Sequence, residues 1–105
     1  MSSLPGARGV VRLLNTADGR ALCLAGAVDE SVVDAFLQHY GREPARVDVV
    51  DTGSVTSLSM PALDLVLDHL DLAERAGRQV TVRRSPVVGR LLADAREPGG
   101  GYPAR

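Results

Sequence analysis

Short apolar runs separated by turn-forming residues make up the first quarter of the chain. Residues 10–14 (VVRLL) and 20–24 (RALCL) are rich in strand-favouring residues, and Asp18-Gly19 between them favours a tight turn. This pattern predicts a β-hairpin, and Gly26 is predicted to break its second strand.

Two more strands and three helices are predicted after the hairpin. Residues 47–50 (VDVV) and 80–82 (VTV) are short apolar runs that predict a third and a fourth strand. Apolar residues spaced three and four positions apart predict one helix before each of these strands, and Ser85-Pro86 begins a short last helix. The predicted order of elements is ββαβαβα.

Capping residues set the limits of the first two helices. The first is predicted to begin at Asp29 or Ser31, because a short side-chain oxygen there accepts a free backbone N–H. The second is predicted to begin at Pro61, since proline suits the first helical position. Pro61 also disfavours a helical conformation at Met60, which makes Met60 the predicted cap residue. This helix is predicted to run to about Ala76.

Residues 9–96 are predicted to form one folded domain. A chain of 105 residues buries enough surface for one core, but not for two. Residues 1–8 (MSSLPGAR) and 97–105 (EPGGGYPAR) have no periodic apolar face, so we predict a flexible leader and a flexible tail. No signal peptide and no membrane-spanning run is recognised, which predicts a cytoplasmic location.

Charge and composition argue against several classes of function. The chain has 12 basic and 13 acidic residues, a net charge of -1, and it therefore lacks the basic surplus of a nucleic-acid-binding protein. One phenylalanine and two tyrosines are too few to stack the bases of a single strand. The one cysteine, Cys23, rules out an internal disulfide, and its apolar neighbours predict a small buried side chain.

Candidate catalytic and metal-binding residues are few. His39 and His69 lie in predicted helices outside any metal-binding or catalytic motif, so we interpret both as solvated or edge-packed side chains. Asp48 and Asp51 lie beside the end of the third strand, where α/β folds often place catalytic carboxylates. Without a neighbouring base or metal ligand, we interpret them as turn and cap residues. The sequence thus predicts no enzymatic activity, no cofactor and no metal.

The second predicted helix carries an acidic face made of Asp64, Asp68 and Asp71. Three apolar residues border this face: Met60, Leu65 and Leu72. A solvated helix face would account for the charges alone. Exposed apolar residues rimmed by charge indicate instead a surface that binds a partner.

Four segments resemble the STAS domain of anti-sigma factor antagonists. They occur in the same order as in that family, at residues 24–29 (LAGAVD), 47–58 (VDVVDTGSVTSL), 76–82 (AGRQVTV) and 88–92 (VGRLL). The resemblance covers about residues 10–95. It implies a small α/β domain with a mixed four-stranded sheet and helices mainly on one face.

The chain departs from this family at the site of phosphorylation. Family members that respond to a kinase carry D-S-S-G or D-T-S-G at the start of the second helix, and the residue after the Asp is phosphorylated. Here Ser59 stands in place of that Asp, Met60 in place of the phosphoacceptor, and Pro61-Ala62 follow. Because a thioether has no hydroxyl, the remaining candidate phosphoacceptor is Ser59, displaced by one residue.

The resemblance implies a non-catalytic, partner-switching regulator that binds an anti-sigma factor, usually a GHKL-type serine kinase. The predicted partner-binding residues lie at the start of the second helix: Ser59, Met60, Pro61, Asp64, Leu65 and Asp68. The alternative is a STAS module outside sigma-factor control, either a scaffold or oligomerising domain, or a small-ligand sensor or lipid-transport subunit. No nucleic-acid or membrane partner is predicted, and a homodimer is left open.

Overall fold

Strands and helices alternate along residues 9–96, the part of the chain that the computed structural model describes. The strands are β1 (Val10–Thr16), β2 (Gly19–Val28), β3 (Val49–Leu58) and β4 (Thr81–Arg84). The helices are α1 (Glu30–Tyr40), α2 (Met60–Arg75) and α3 (Pro86–Arg96). The order ββαβαβα is the predicted one. The predicted leader and tail lie outside the described residues.

The four strands form one mixed sheet in the order β1-β2-β3-β4. β1 and β2 are antiparallel, whereas β3 lies parallel to β2 and β4 parallel to β3. Parallel neighbours need a crossover connection, and α1 and α2 provide these two connections. The predicted four-stranded mixed sheet is therefore confirmed.

The predicted hairpin is present, with Thr16 paired to Gly19 at its end. Gly19 has a φ of 115°, a backbone conformation that residues other than glycine rarely adopt. The Thr16 hydroxyl donates a hydrogen bond of 2.8 Å to the Gly19 carbonyl and closes the turn.

Two predicted strand limits are wrong. β2 does not end at Gly26 but continues to Val28, because Gly26 takes a φ of 74° and the pairing with β3 shifts register there. β3 does not end before residues 51–53 but extends to Leu58. A second register shift between β2 and β3, next to Cys23, accommodates an extra residue of β3.

One face of the sheet and all three helices enclose the hydrophobic core. The buried strand residues of the core are Val11, Leu22, Leu24, Val28, Val50 and Val55. The helices contribute Val33, Phe36, Leu63, Val66, Leu70, Val88 and Leu92. We call this side of the sheet the core face.

Short polar side chains cap each helix. The Asp29 carboxylate accepts the Val32 N–H at 3.0 Å, so that Asp29 rather than Ser31 is the cap of α1. The predicted cap at Ser85 is confirmed, since its hydroxyl oxygen accepts the Val88 N–H at 3.3 Å.

The predicted cap at Met60 is wrong. Ser59 caps α2, and Met60 is the first residue of the helix. A hydroxyl oxygen can accept a backbone N–H and a thioether can do so only weakly, so the residue with the hydroxyl takes the cap position.

Candidate partner-binding site

The start of α2 is held in place by hydrogen bonds from Ser59. Its N–H donates to the Val28 carbonyl at 2.9 Å, which joins the helix start to the end of β2. Its hydroxyl oxygen accepts the Ala62 N–H at 3.3 Å. Ser59 is half-buried. The displaced candidate phosphoacceptor is therefore also the residue that caps α2.

Met60 projects from this anchored position into solvent. It is 67% exposed, the largest exposed fraction among the large hydrophobic residues of the described chain. A large apolar side chain that a firmly held helix start presents to solvent is available to contact a partner. The predicted exposure of Met60 is therefore confirmed.

Leu65 does not belong to this exposed surface. It is 7% exposed and lies in the core cluster, so the expectation of an exposed apolar residue here is wrong. The reason is that α2 packs against two neighbours, the sheet on one side and α1 on another. Leu72, at 37% exposed, does reach solvent.

A groove of about 310 Å³ runs between α1 and α2 and is lined by Pro61, the residue that follows Met60, but not by Met60 itself. Its floor contains apolar side chains: Val33, Leu37, Pro61 and Leu65. Its rim carries four carboxylates and one guanidinium: Glu30, Asp34, Asp64, Asp68 and Arg42. The groove thus combines an apolar floor with a net negative rim.

The structure brings together most of the predicted partner-binding residues. Pro61, Asp64, Leu65 and Asp68 line the groove, with Leu65 only as part of its floor. Met60 lies four residues before Asp64, on the same side of the helix. Ser59 lies beneath Met60 as a cap and does not line the groove.

Sequence reasoning missed the contribution of α1 to this groove. Glu30 and Asp34 are exposed residues of α1 that any solvated helix could carry. Only the packing of α1 against α2 places them across from Asp64 and Asp68. The one sequence signal for this groove is that both helices carry acidic residues on their outer sides. That signal does not reveal which helices are neighbours in the fold.

His69 is buried within the fold, whereas the prediction was a solvated or edge-packed side chain. It is 2% exposed, its Nδ1 lies 2.8 Å from the Leu65 carbonyl, and its Nε2 accepts the Ala45 N–H at 3.0 Å. Because Nε2 must accept, Nδ1 carries the proton and the ring is neutral. Burial lowers the pKa of His69, against smaller opposing contributions from the Leu65 hydrogen bond and the Asp68 charge. His69 thereby ties the loop before β3 to α2.

Asp48 is likewise occupied in holding the fold together. Its carboxylate accepts the Arg20 N–H at 3.0 Å and the Arg78 guanidinium at 3.1 Å. The Arg20 hydrogen bond, joined by Arg78, holds the pKa of Asp48 below its ordinary value. Asp51 accepts the Gly53 N–H at 3.0 Å. Both carboxylates thus hold parts of the fold together, but neither has the predicted role of a cap, and Asp51 lies within β3 rather than in a turn.

The remaining candidate residues are dispersed. His39 is exposed and stacks edge-on against Tyr40 with ring centroids 4.4 Å apart. Cys23 is half-buried rather than buried as predicted. Burial, followed by the charge of Asp51, raises the pKa of its thiol. Within residues 9–96, no three histidine, cysteine or acidic side chains are grouped as metal ligands. No helix in that same range is long and apolar enough to cross a membrane.

Comparisons of the chain with protein-family models, with curated proteins and with solved structures found no match. The STAS-like motifs and the geometry around α2 are therefore the two sources of support for a function.

Proposed function

We propose that this chain is a non-catalytic regulator of the STAS type that binds an anti-sigma factor through the start of α2 and the neighbouring groove. The observation that carries the proposal is Met60, 67% exposed on the first turn of a helix whose cap is firmly anchored. Its surroundings fit a protein partner rather than a small substrate, since the groove lined by the next residue, Pro61, has an apolar floor and a charged rim.

The charges of the groove indicate the chemistry of the partner. Four carboxylates and one guanidinium line its rim, so a partner segment with arginine or lysine side chains beside apolar residues is the complementary surface. In the STAS resemblance this partner is a GHKL-type serine kinase. Binding that depends on these charges weakens as salt is added, because exposed charges are screened.

The proposed binding does not use the off-switch of the family. A phosphate at the start of α2 would add nearly two negative charges to the contact surface and oppose docking. Met60 has no hydroxyl to accept it, and the Ser59 hydroxyl oxygen already caps the helix. We therefore propose that binding is constitutive or set by the amount of the protein.

The substitution Met60→Asp tests this function. We expect the melting temperature to stay the same or rise slightly, because a carboxylate in the first turn interacts favourably with the helix dipole, by up to about 1 kcal/mol. We expect affinity for the partner to fall by about tenfold or more, because an unpaired carboxylate desolvated in an interface is costly. The partner is first identified by affinity capture with the full chain, and its purified form is then titrated against wild type and variant.

Leu72→Asp is the matched control, because Leu72 borders the acidic face at the other end of α2 and lies outside both the groove and the predicted partner-binding residues. It places the same charge on an exposed apolar residue of the same helix, three turns away from Met60. Partner affinity should stay within about threefold of wild type, a difference below 1 kcal/mol. Equal affinities for Met60→Asp and wild type would remove the start of α2 from the interface and overturn the proposed function.

A further inference from the structure

The side of the sheet that points away from the core carries an ordered pattern of its own. Cross-strand pairing aligns one residue from each strand in a central row: Arg12, Cys23, Asp51 and Arg83. The next row consists of Leu14, Ala21, Val49 and Thr81. Since side chains alternate along a strand, both rows lie opposite the core face. We call these two rows the second face.

The second face combines one exposed apolar side chain, Leu14, with charges of both signs. Leu14 is 41% exposed, and Ala21 and Val49 are buried but lie outside the core cluster to which all three helices contribute. Within residues 9–96, no ion pair joins Asp51 to Arg12 or to Arg83. An exposed apolar side chain beside charges of both signs can contact a partner that offers the complementary charges.

The central row is self-complementary in charge. From β1 to β3 it has a cation at Arg12, the uncharged Cys23 and an anion at Asp51. Two sheets can face each other across a two-fold axis that runs along β2. This axis places β1 of each copy over β3 of the other, so that each Arg12 lies opposite an Asp51. Both charges of each copy then have a partner.

The same axis also matches the apolar row. Leu14 of one copy lies over Val49 of the other, and the two Ala21 side chains face each other. Sheets that pack face to face lie roughly 10 Å apart, and the side chains on β2 here are small enough to allow that approach. Arg83 lies on β4, beyond the overlap, and remains at the rim.

We propose that the chain forms a symmetric homodimer through the second face, with Arg12 of each copy paired to Asp51 of the other. A second copy can pair the charges of both signs on this surface, whereas a partner of one charge sign cannot. An acidic partner would meet Asp51, and a basic partner would meet Arg12 and Arg83. The dimer uses the side of the sheet away from the helices, so it is independent of the proposed binding at α2.

Sedimentation equilibrium of the full chain and its variants tests the dimer. Arg12→Asp places two carboxylates opposite each other twice in each dimer, so the dimer dissociation constant should rise by at least about tenfold. Adding Asp51→Asn to Arg12→Asp removes that repulsion and should restore part of the affinity. The asparagine oxygen can still accept the Gly53 N–H that Asp51 accepts in the native chain. The full charge swap, Arg12→Asp with Asp51→Arg, should bring the constant close to that of wild type.

Arg83→Asp is the matched control, since it reverses a charge in the same row outside the overlap. Its dissociation constant should stay within about threefold of wild type. A wild-type chain that remains monomeric at 100 µM would overturn the proposal. A dimer that Arg12→Asp and Arg83→Asp weaken equally would also overturn it, because the contact would then depend on net charge and not on this pairing.

Cys23 gives a second measurement that does not depend on these substitutions. It is the one cysteine of the chain, and the two-fold axis brings the two copies of it face to face. N-ethylmaleimide at pH 8.5 should therefore modify Cys23 more slowly at concentrations where the chain is a dimer than where it is a monomer. A dimer by sedimentation in which Cys23 reacts as fast as in the monomer would place the contact on another surface. The affinity of Arg12→Asp for the partner that binds α2 is measured as well, so that failure of the proposed dimer can be distinguished from failure of the proposed function.

Discussion

A single buried histidine makes the stability of this domain dependent on pH. His69 accepts the Ala45 N–H through Nε2, and protonation of that nitrogen would replace an attraction with a repulsion between two donors. Burial lowers the pKa of His69 below its ordinary value of about 6.5, so the unfolded chain binds the proton more tightly than the folded chain. Stability is then complete above pH 6.5 and is lost as the pH falls through the lower pKa of the folded state.

Urea unfolding between pH 5 and pH 7.5 measures this dependence. We expect the unfolding midpoint of wild type to fall toward pH 5 and that of His69→Leu to fall much less. His69→Leu should also cost about 1–3 kcal/mol at neutral pH, because the buried Ala45 N–H loses its acceptor. His39→Gln, which removes the exposed histidine, should keep the wild-type dependence. The same slope in His69→Leu as in wild type would assign the effect to other groups.

The burial of His69 and Leu65 could not be predicted from the spacing of residues along α2 alone. The spacing of apolar residues along α2 correctly predicts the stripe that meets the sheet, in which Leu63 and Val66 are buried. The second buried side of the helix depends on α1 and on the loop that holds Ala45, and neither is close to α2 in sequence. The acidic groove was missed for the same reason, since half of its carboxylates lie on α1.

The N-terminus of α2 depends on Ser59. Ser59→Ala removes the oxygen that accepts the Ala62 N–H, and such a loss typically costs about 1 kcal/mol. We expect a drop in melting temperature of about 4–8 °C for a domain of this size. Met60→Ala and the exposed Ser57→Ala should each stay within about 0.5 kcal/mol of wild type. A larger loss of stability for Met60→Ala than for Ser59→Ala would show that Met60, and not Ser59, caps α2.

The elements were predictable where a local signal was strong and were not where a strand is irregular. Asp18-Gly19 and Ser85-Pro86 mark a turn and a helix start that the structure contains. Residues 51–53 (DTG) have the composition of a turn, yet they continue β3. Thr52 is buried there, and its hydroxyl donates to the Arg83 carbonyl at 2.6 Å. In the sequence, polar residues that belong to a bulge within a strand have the same composition as those of a turn, so the two cannot be distinguished.

One sheet separates the two proposed surfaces. The core face carries the helices and, through them, the start of α2 and the acidic groove. The second face carries the Arg12–Asp51 row on the other side. A dimer formed through the second face would present two α2 surfaces pointing apart. Each dimer would then bind two partners without contact between them.

The described core also predicts that the two ends of the chain are dispensable for folding. All residues of the core cluster in residues 9–96 lie between Val11 and Leu92. Gly9 belongs with the domain, because its Cα lies so close to the Ala27 carbonyl that a Cβ would not fit.

A chain cut to residues 9–96 should therefore melt within a few degrees of the full chain, at equal concentration so that any dimer contributes equally. Differential scanning calorimetry of both chains measures this. A loss of more than about 2 kcal/mol, a large share of the stability of a small domain, would show that residues 1–8 or 97–105 pack on the core, and removing each end separately would identify which one.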